Sequence, residues 1–179
     1  SDRMVLNDQI VIQDMLALAE FALLPDDDLT LACLLKSPLI NMNEDDLFKL
    51  SYGREGTLWD SLKQSKHQDV IKYLKNIIRR GRDVHPFEFF SQALQTSCPA
   101  DSQSGLRAIK TRLGEDALDP INEFLEAALD FERNHIPSLQ GFVFWQGQRE
   151  DQIKREMNEA GGQVRIMTVH GSKGLQAPI

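Results

Sequence analysis

The residues with the clearest chemical potential lie near the end of the sequence, in the run His170-Gly171-Ser172-Lys173-Gly174. The β-branched segment over 164–169 comes directly before this run and predicts a short strand. Two glycines and a lysine at the end of a strand can present backbone N–H groups and a cation to a phosphate. The run therefore predicts a loop that contacts a nucleotide or another phosphate.

This loop is not a complete catalytic site. The sequence contains no G-x-x-x-x-G-K-[ST] phosphate loop and no acidic pair that follows a strand and could hold Mg²⁺. His170 has no second ligand or nucleophile at a suitable spacing, and Ser172 lacks the G-x-S-x-G frame of serine hydrolases. Cys33 and Cys98 are far apart, which predicts two reduced thiols. We therefore expect no metal site and no complete set of catalytic residues.

A second candidate site is a row of four cations, Lys72, Lys75, Arg79 and Arg82. Their spacing of three, four and three residues places them on one face of a helix, opposite the apolar face. Such a row could contact a nucleic-acid backbone. A solvated polar face is the more common role of such a row.

The acidic row of Glu123, Glu126 and Asp130 would repel nucleic acid and predicts a solvated face, with a protein contact as the less common alternative.

The elements that must position these residues are helices. Apolar residues recur at helical spacing, and prolines, glycines and capping residues mark where each predicted helix begins or ends. The predicted helices cover 8–24, 29–36, a segment capped by Asn43, 58–64, 67–82, a segment from Pro86, 106–113, a segment from the Asp119 cap to 134, and 139–159. The polar stretch 97–105 predicts a disordered loop. Most aromatic residues fall at helical spacing, which predicts core positions rather than base stacking: Phe87, Phe89, Phe90, Phe142, Phe144 and Trp145.

A single strand at 165–169 has no obvious partner in a chain of helices. An unpaired strand exposes backbone donors and acceptors, so it must belong to a sheet. Residues 4–6 are the only other strand candidate. We therefore predict a mainly α fold in which a helical subdomain, residues 8–160, is inserted in an α/β domain represented only by residues 1–7 and 161–179. An insertion of this kind predicts that 4–6 and 165–169 lie close together, with Gly161-Gly162 as the hinge.

Composition places the chain among folded globular proteins, with 41% hydrophobic and 26% charged residues. The net charge of −7 argues against a protein dedicated to coating nucleic acid, although a local basic surface remains compatible with it. No apolar run reaches membrane-spanning length and no signal peptide opens the chain, so we expect a cytoplasmic protein with no membrane partner. Ser1 is a poor natural start, which predicts an excised piece of a longer protein.

The segment Val164-Arg-Ile-Met-Thr-Val-His-Gly-Ser-Lys-Gly-Leu-Gln176 resembles motif V of superfamily 1A DNA helicases of the UvrD, Rep and PcrA type. That motif reads roughly hydrophobic-x-x-M-T-x-H-x-x-K-G-L-E. The stretch Asp27-Asp-Leu-Thr-Leu-Ala-Cys-Leu-Leu-Lys-Ser-Pro-Leu39, followed by Glu44 to Phe48, resembles the start of the accessory 2B subdomain in the AddA/RecB branch, in its AddA form. The first match covers under a tenth of the chain but is highly specific.

The resemblance implies roles for the motif V residues. Thr168 and His170 would lie near the single-stranded DNA backbone. Gly174 and Gln176 would face the nucleotide, and Lys173 would support that loop. Relatives usually carry glutamate where this chain has Gln176, which can still accept a hydrogen bond from the ribose but has lost the charge. Ser172 also replaces a common alanine.

The resemblance further implies a RecA-like identity for the α/β domain. The parent would use ATP and Mg²⁺ to translocate along DNA and unwind it at a fork during double-strand-break repair, together with a nuclease subunit of the AddB type. The fragment would bind no cofactor, would neither hydrolyse ATP nor unwind DNA alone, and would contact duplex DNA through its basic row. Two alternatives remain at this point: a module that docks the partner nuclease subunit without touching DNA, and a plain UvrD-like repair helicase without a nuclease.

Overall fold

The computed structural model describes residues 6–161, and this part of the chain is helical. It contains no β-strand, only an isolated bridge between Cys98 and Asp101. The helices are α1 Ile10–Leu23, α2 Asp28–Lys36, α3 Glu44–Ser51, α4 Leu58–Lys63, α5 Gln68–Asp83, α6 Pro86–Gln95, α7 Gly105–Leu113, α8 Leu118–Asn134 and α9 Leu139–Gly161. Short 3₁₀ turns lie at Leu6–Asp8 and Glu115–Ala117. The predicted mainly α class is confirmed, and no helix within 6–161 has the length and apolarity needed to cross a bilayer.

Helix α1 is the centre of the fold. It packs against α2, α5, α8 and α9, and its buried residues include Ile12, Leu18 and Phe21. Apolar side chains surround most of the helix, as expected for one enclosed by neighbours on several sides. The sequence prediction of a helix over 8–24 is therefore confirmed to within two residues.

Capping residues set the starts of the three helices that follow. Asp27 accepts a hydrogen bond from the backbone N–H of Thr30, and Asn43 accepts one from Asp46, as predicted. The Asp46 carboxylate bonds the side-chain amide of Asn43 rather than its backbone, so the capping box is incomplete there. A complete box occurs instead at Thr57 and Asp60, which begin α4.

A cluster of phenylalanines joins α6, α8 and α9. The rings of Phe90, Phe124, Phe131 and Phe142 meet edge to face, with centroid separations of 4.8 to 5.7 Å. The core assignment made from sequence is confirmed for Phe90 and Phe142 of this cluster. It is wrong for Phe144, which is 67% exposed.

Two local predictions are wrong. Helix α8 begins at Leu118, directly after the second 3₁₀ turn, so Asp119 lies inside the first turn instead of capping it. The stretch 97–105 is an ordered loop rather than a disordered one. Its backbone bonds join Ala100 to Leu39 and Gly105 to Thr96, and the Asp101 carboxylate accepts bonds from backbone N–H groups at 103 and 104. Hydrogen bonds within the segment and to the backbone of Leu39 and Thr96 thus order a stretch whose composition alone suggests disorder.

The two ends of the described fold lie side by side. Gln146 on α9 donates a hydrogen bond to the Asn7 side chain, at 3.1 Å, and Lys154 forms an ion pair with Asp8, at 2.9 Å. Leu6 begins a 3₁₀ turn and does not end a strand. Helix α9 includes Gly161, whereas Gly162 and the predicted strand at 165–169 lie outside the described residues. The predicted proximity of strands 4–6 and 165–169, the hinge and the domain boundaries therefore stay predictions.

Candidate nucleic-acid interface

The basic row of α5 is the candidate site that falls within the described structure. Helix α5 is strongly amphipathic, with Val70, Leu74 and Ile77 buried against the core. The opposite side carries the four cations, all of them exposed: Lys72, Lys75, Arg79 and Arg82. The helical rise makes this row about 15 Å long, the axial length of about four base pairs of duplex DNA. The sequence prediction that the four side chains share one solvent-facing side is correct.

The charges of the row differ in how they are engaged. Arg79 donates to the Asn76 side chain, at 2.6 Å, and forms a surface ion pair with Asp83, at 3.6 Å. Exposed pairs of this kind contribute little to stability and exchange readily with another anion. Among residues 6–161, no ion-pair partner faces Lys72, Lys75 or Arg82. The row can therefore offer its cations to an external phosphate backbone.

Arg80, in the middle of this segment, has a different role. Only 6% of its surface is exposed, and its guanidinium donates a hydrogen bond to the carbonyl oxygen of Phe89, at 3.3 Å. Burial lowers the pKa of Arg80, and burial raises the pKa of the neighbouring Tyr73 hydroxyl. Arg80 thus joins α5 to α6 and is unavailable to a ligand. Its position three residues after Ile77, on the apolar face, was the sequence signal for this burial.

Of the other residues singled out from the sequence, the acidic row lies within the described structure and the motif V residues lie outside it. The acidic row on α8, consisting of Glu123, Glu126 and Asp130, is exposed as expected for a solvated face. The motif V residues lie outside the described part of the chain: Thr168, His170, Lys173, Gly174 and Gln176. Within residues 6–161, no group of three or more His, Cys, Asp or Glu side chains could hold a metal ion.

Comparison with known proteins shows which proteins the chain is related to. It is 28% identical over 165 residues to AddA, the ATP-dependent helicase/nuclease subunit, of Lactobacillus acidophilus and 30% identical over 169 residues to that of Lactobacillus helveticus. Each alignment covers 87% of this chain and 14% of the relative. The protein of the same name from Ruminiclostridium cellulolyticum is 22% identical over 182 residues, covering 94% of this chain. The chain is related to the AddA proteins.

The relationship extends over most of this chain but over only a small part of the AddA proteins. The chain spans about a seventh of the length of the curated relatives it matches. No protein-family model matches it, and no solved structure matches it. The alignment therefore supports a relation to AddA-type helicases over this part of their length.

A second surface feature of this AddA-related chain was not predicted from sequence. An open groove of about 480 Å³ lies between α1 and α2, and Arg112 and Leu113 of α7 also line it. Its apolar rim includes Ile10 and Leu29, which are 60% and 75% exposed. Asp14 lies in its wall, and burial raises the pKa of this carboxyl to about 6, with Arg112 opposing the shift. Among the described residues, no cation forms an ion pair with Asp14.

Replacement of Asp14 by asparagine is expected to stabilise the fold at pH 7. Because burial raises the pKa from 3.8 to about 6, stability is lost as the pH rises from 3.8 to about 6, and the full cost of the ionised carboxylate is present above pH 6. The shift sets a ceiling of about 3 kcal/mol, and partial exposure of the side chain reduces the expected gain to about 1 kcal/mol. Because both states bind the proton below pH 3.8, the gain should disappear there.

Urea denaturation of wild type and Asp14→Asn at pH 7 and at pH 3.5 measures this effect. Asp116→Asn, at an exposed position, is the matched control and should change the free energy of unfolding by less than about 0.5 kcal/mol. A gain from Asp14→Asn that is equally large at both pH values would contradict the assignment of the effect to ionisation.

Proposed function

We propose that this chain is a helical accessory region of an AddA-like ATP-dependent DNA helicase–nuclease that acts in double-strand-break repair. The observation that carries the proposal is its sequence relationship to AddA proteins over 87% to 94% of the chain. The motif V resemblance points to the same assignment. The parent would act in the cytoplasm with a nuclease subunit of the AddB type.

In this proposal, the chemistry of ATP belongs to parts of the parent that this chain does not supply. Motif V would contribute Thr168 and His170 to the DNA strand, while Gly174 and Gln176 would contact the nucleotide with support from Lys173. ATP and Mg²⁺ would be held mainly by a phosphate loop and acidic residues elsewhere in the parent. The helical region would act as a regulatory, DNA-contacting part that hydrolyses no ATP alone.

The basic row on α5 is the proposed contact with the duplex arm of a fork. Its cations are exposed, lie on a regular helix and have few internal partners within residues 6–161. The core contacts of α5 with α1 fix the orientation of the row. A rigid row of cations releases counterions from DNA without base contacts, so the contact should be independent of sequence and sensitive to salt.

Reversal of charge at two positions of this row tests the proposal. In the intact parent, Lys75→Glu with Arg79→Glu should weaken binding to a forked duplex. The slope of log K against log salt should become shallower by about 1.8, because each lost phosphate contact removes about 0.9. Fluorescence anisotropy over a range of salt concentrations measures the slope, and ATP-driven unwinding of the same fork measures the parental activity.

The matched control reverses the same residue types elsewhere. Lys49→Glu with Arg133→Glu makes an identical change of net charge at two exposed positions that lie off α5. An equal loss of slope in the control would attribute the effect to overall charge. An unchanged slope in the α5 variant would remove α5 from the DNA contact.

One observation favours a second candidate function, the docking of a protein partner. Phe48 on α3 and Tyr52, which directly follows that helix, stack on each other with ring centroids 5.2 Å apart, yet they remain 63% and 76% exposed. Large exposed aromatic side chains are typical of protein contacts. An unchanged salt slope in the α5 variant, combined with loss of partner-protein binding in Phe48→Ala, would favour this function over DNA contact.

A further inference from the structure

A pocket lies beside the basic row of α5, between that helix and the loop that follows α6. Its volume is about 450 Å³, which is within the usual range for sites that hold a small organic group. Lys72 belongs both to the row and to the lining of the pocket, and Asn76 lines the pocket one turn further along α5. A polymer backbone bound along the row would therefore pass directly beside this pocket.

The other wall of the pocket is formed by residues 97–99, in a loop that backbone hydrogen bonds hold in place. The N–H of Cys98 donates to the carbonyl of Asp101, at 2.9 Å, and the N–H of Ala100 donates to that of Leu39, at 3.0 Å. Helix α5 is itself fixed by its contacts with α1. Both walls are thus held by the protein itself, so binding in the pocket requires little rearrangement.

Several polar side chains that line the pocket have unused capacity for hydrogen bonding. The buried hydroxyl of Tyr73 has no hydrogen-bond partner among residues 6–161. Asn76 accepts a hydrogen bond from Arg79 through Oδ1, at 2.6 Å, which leaves its two N–H donors for another group. Lys72 and Asp69 form no ion pair with any other residue in 6–161. The pocket therefore presents donors and an acceptor close to one another.

This set of groups matches the edge of a nucleobase better than it matches a phosphate or an apolar group. Among the described residues that line the pocket, Lys72 is the one cation, and the Asp69 carboxylate would repel an anion. An apolar ligand would leave the polar groups without partners. The edge of cytosine carries an amino group that can donate to Asp69, and acceptors that can receive hydrogen bonds from Asn76 or Lys72. The ring of Pro99 offers an apolar surface to the face of the base.

We propose that this pocket binds one unpaired nucleobase of a DNA strand whose phosphate backbone follows the basic row of α5. The inference rests on the proposed function, since it extends the assignment of the row to a DNA fork. Extruding a base from a duplex costs pairing and stacking energy, so a base enters the pocket most easily where pairing has ended. Occupation of the pocket therefore places the junction of the fork at a fixed position against the helical region.

The contribution of a single base to binding by the intact parent tests this inference. A series of forked duplexes carries an abasic site at successive unpaired positions of either arm, and each is compared with the same fork carrying cytosine there. At one position next to the junction, loss of the base should weaken binding about tenfold, a typical discrimination for one bidentate contact to a base. Fluorescence anisotropy at a fixed salt concentration measures the dissociation constants.

A change at Ser97 identifies the pocket as the source of this preference. Ser97→Leu fills the pocket with an apolar side chain and leaves the charge of the row unchanged. It should abolish the tenfold preference at that position, while the slope of log K against log salt stays that of wild type. The matched control is Ser102→Leu, the same change at an exposed position of the same loop that does not line the pocket, and it should retain the preference. Because both serines are exposed, neither change should alter the urea midpoint.

Three outcomes would overturn the inference. The first is an abasic penalty that is the same in wild type and Ser97→Leu at every position. The second is an equal loss of the preference in Ser102→Leu, which would assign the effect to the loop as a whole. The third is a shallower salt slope in Ser97→Leu, which would assign the pocket to a phosphate. The charge-reversal variant of α5 and ATP-driven unwinding test the proposed function separately, since the row can bind DNA while no base enters the pocket.

Discussion

Replacement of Phe142 by alanine is expected to lower the free energy of unfolding by about 4 kcal/mol, within the usual range for a buried phenylalanine. Phe142 is fully buried, and its ring lies within 5.7 Å of the ring centroids of Phe90, Phe124 and Phe131. Its removal leaves a cavity where α9 meets α6 and α8. Because the surrounding rings are large and mutually packed, they cannot collapse far into that space.

Urea denaturation followed by far-UV circular dichroism measures the loss. Phe144→Ala removes the same ring two residues further along α9, from a position that is 67% exposed, and should cost less than about 0.5 kcal/mol. Similar losses in the two variants would contradict the packing of α9 described above. A loss of about 4 kcal/mol is a large part of the roughly 5–15 kcal/mol that stabilises a typical domain, so the variant should also be more sensitive to proteolysis.

Gly105→Ala should be nearly as damaging, at about 3 kcal/mol, the upper part of the usual range for overpacking. A Cβ atom at Gly105 would lie 2.2 Å from the carbonyl oxygen of Ala93 and 3.0 Å from a methyl of Leu39. The obstructing oxygen belongs to the backbone of α6 and cannot rotate aside. Helix α7 would have to move away from α6, which would also weaken the hydrogen bond from Gly105 to Thr96.

The same chemical change at Gly147 should have the opposite sign. Gly147 lies within α9, and a Cβ atom there would meet nothing within 4 Å. Alanine has the higher helix propensity, so Gly147→Ala should raise the free energy of unfolding by about 0.5–1 kcal/mol. In thermal and urea unfolding, Gly105→Ala should therefore be less stable than wild type and Gly147→Ala more stable. Destabilisation by both would mean that backbone space at Gly105 is not the cause of its effect.

Periodicity and capping were sufficient to predict most helices because both signals are local. Helix α5 illustrates this: its apolar residues recur every three to four positions, and the resulting helix exposes all four predicted cations. Asp27 and Asn43 cap the helices that their positions predicted. The relationship to AddA proteins, inferred from short motifs, agrees with the alignments.

The features that sequence reasoning missed depend on contacts between distant segments. Gly105 looked like the end of a polar loop, but its lack of a side chain serves the close approach of α7 to α6. The raised pKa of Asp14 arises from its burial in the wall of the groove between α1 and α2, which no spacing within α1 reveals. Asp119 and Pro120 form a strong local start signal, yet the helix begins at Leu118, two residues before Pro120, directly after the 3₁₀ turn. Tertiary packing decided the first two of these cases, and the adjacent 3₁₀ turn decided the third.

The central position of α1 has a consequence for the way the protein is made. Helix α1 precedes the four α-helices that pack against it, and the last of these, α9, begins more than 100 residues after α1 ends. At about 5–20 residues per second, the ribosome needs roughly 6 to 23 s to add that stretch. During that time, α1, the most apolar of the described helices, is packed against only some of its partner helices. Its apolar surface is then the segment that a chaperone would bind during synthesis.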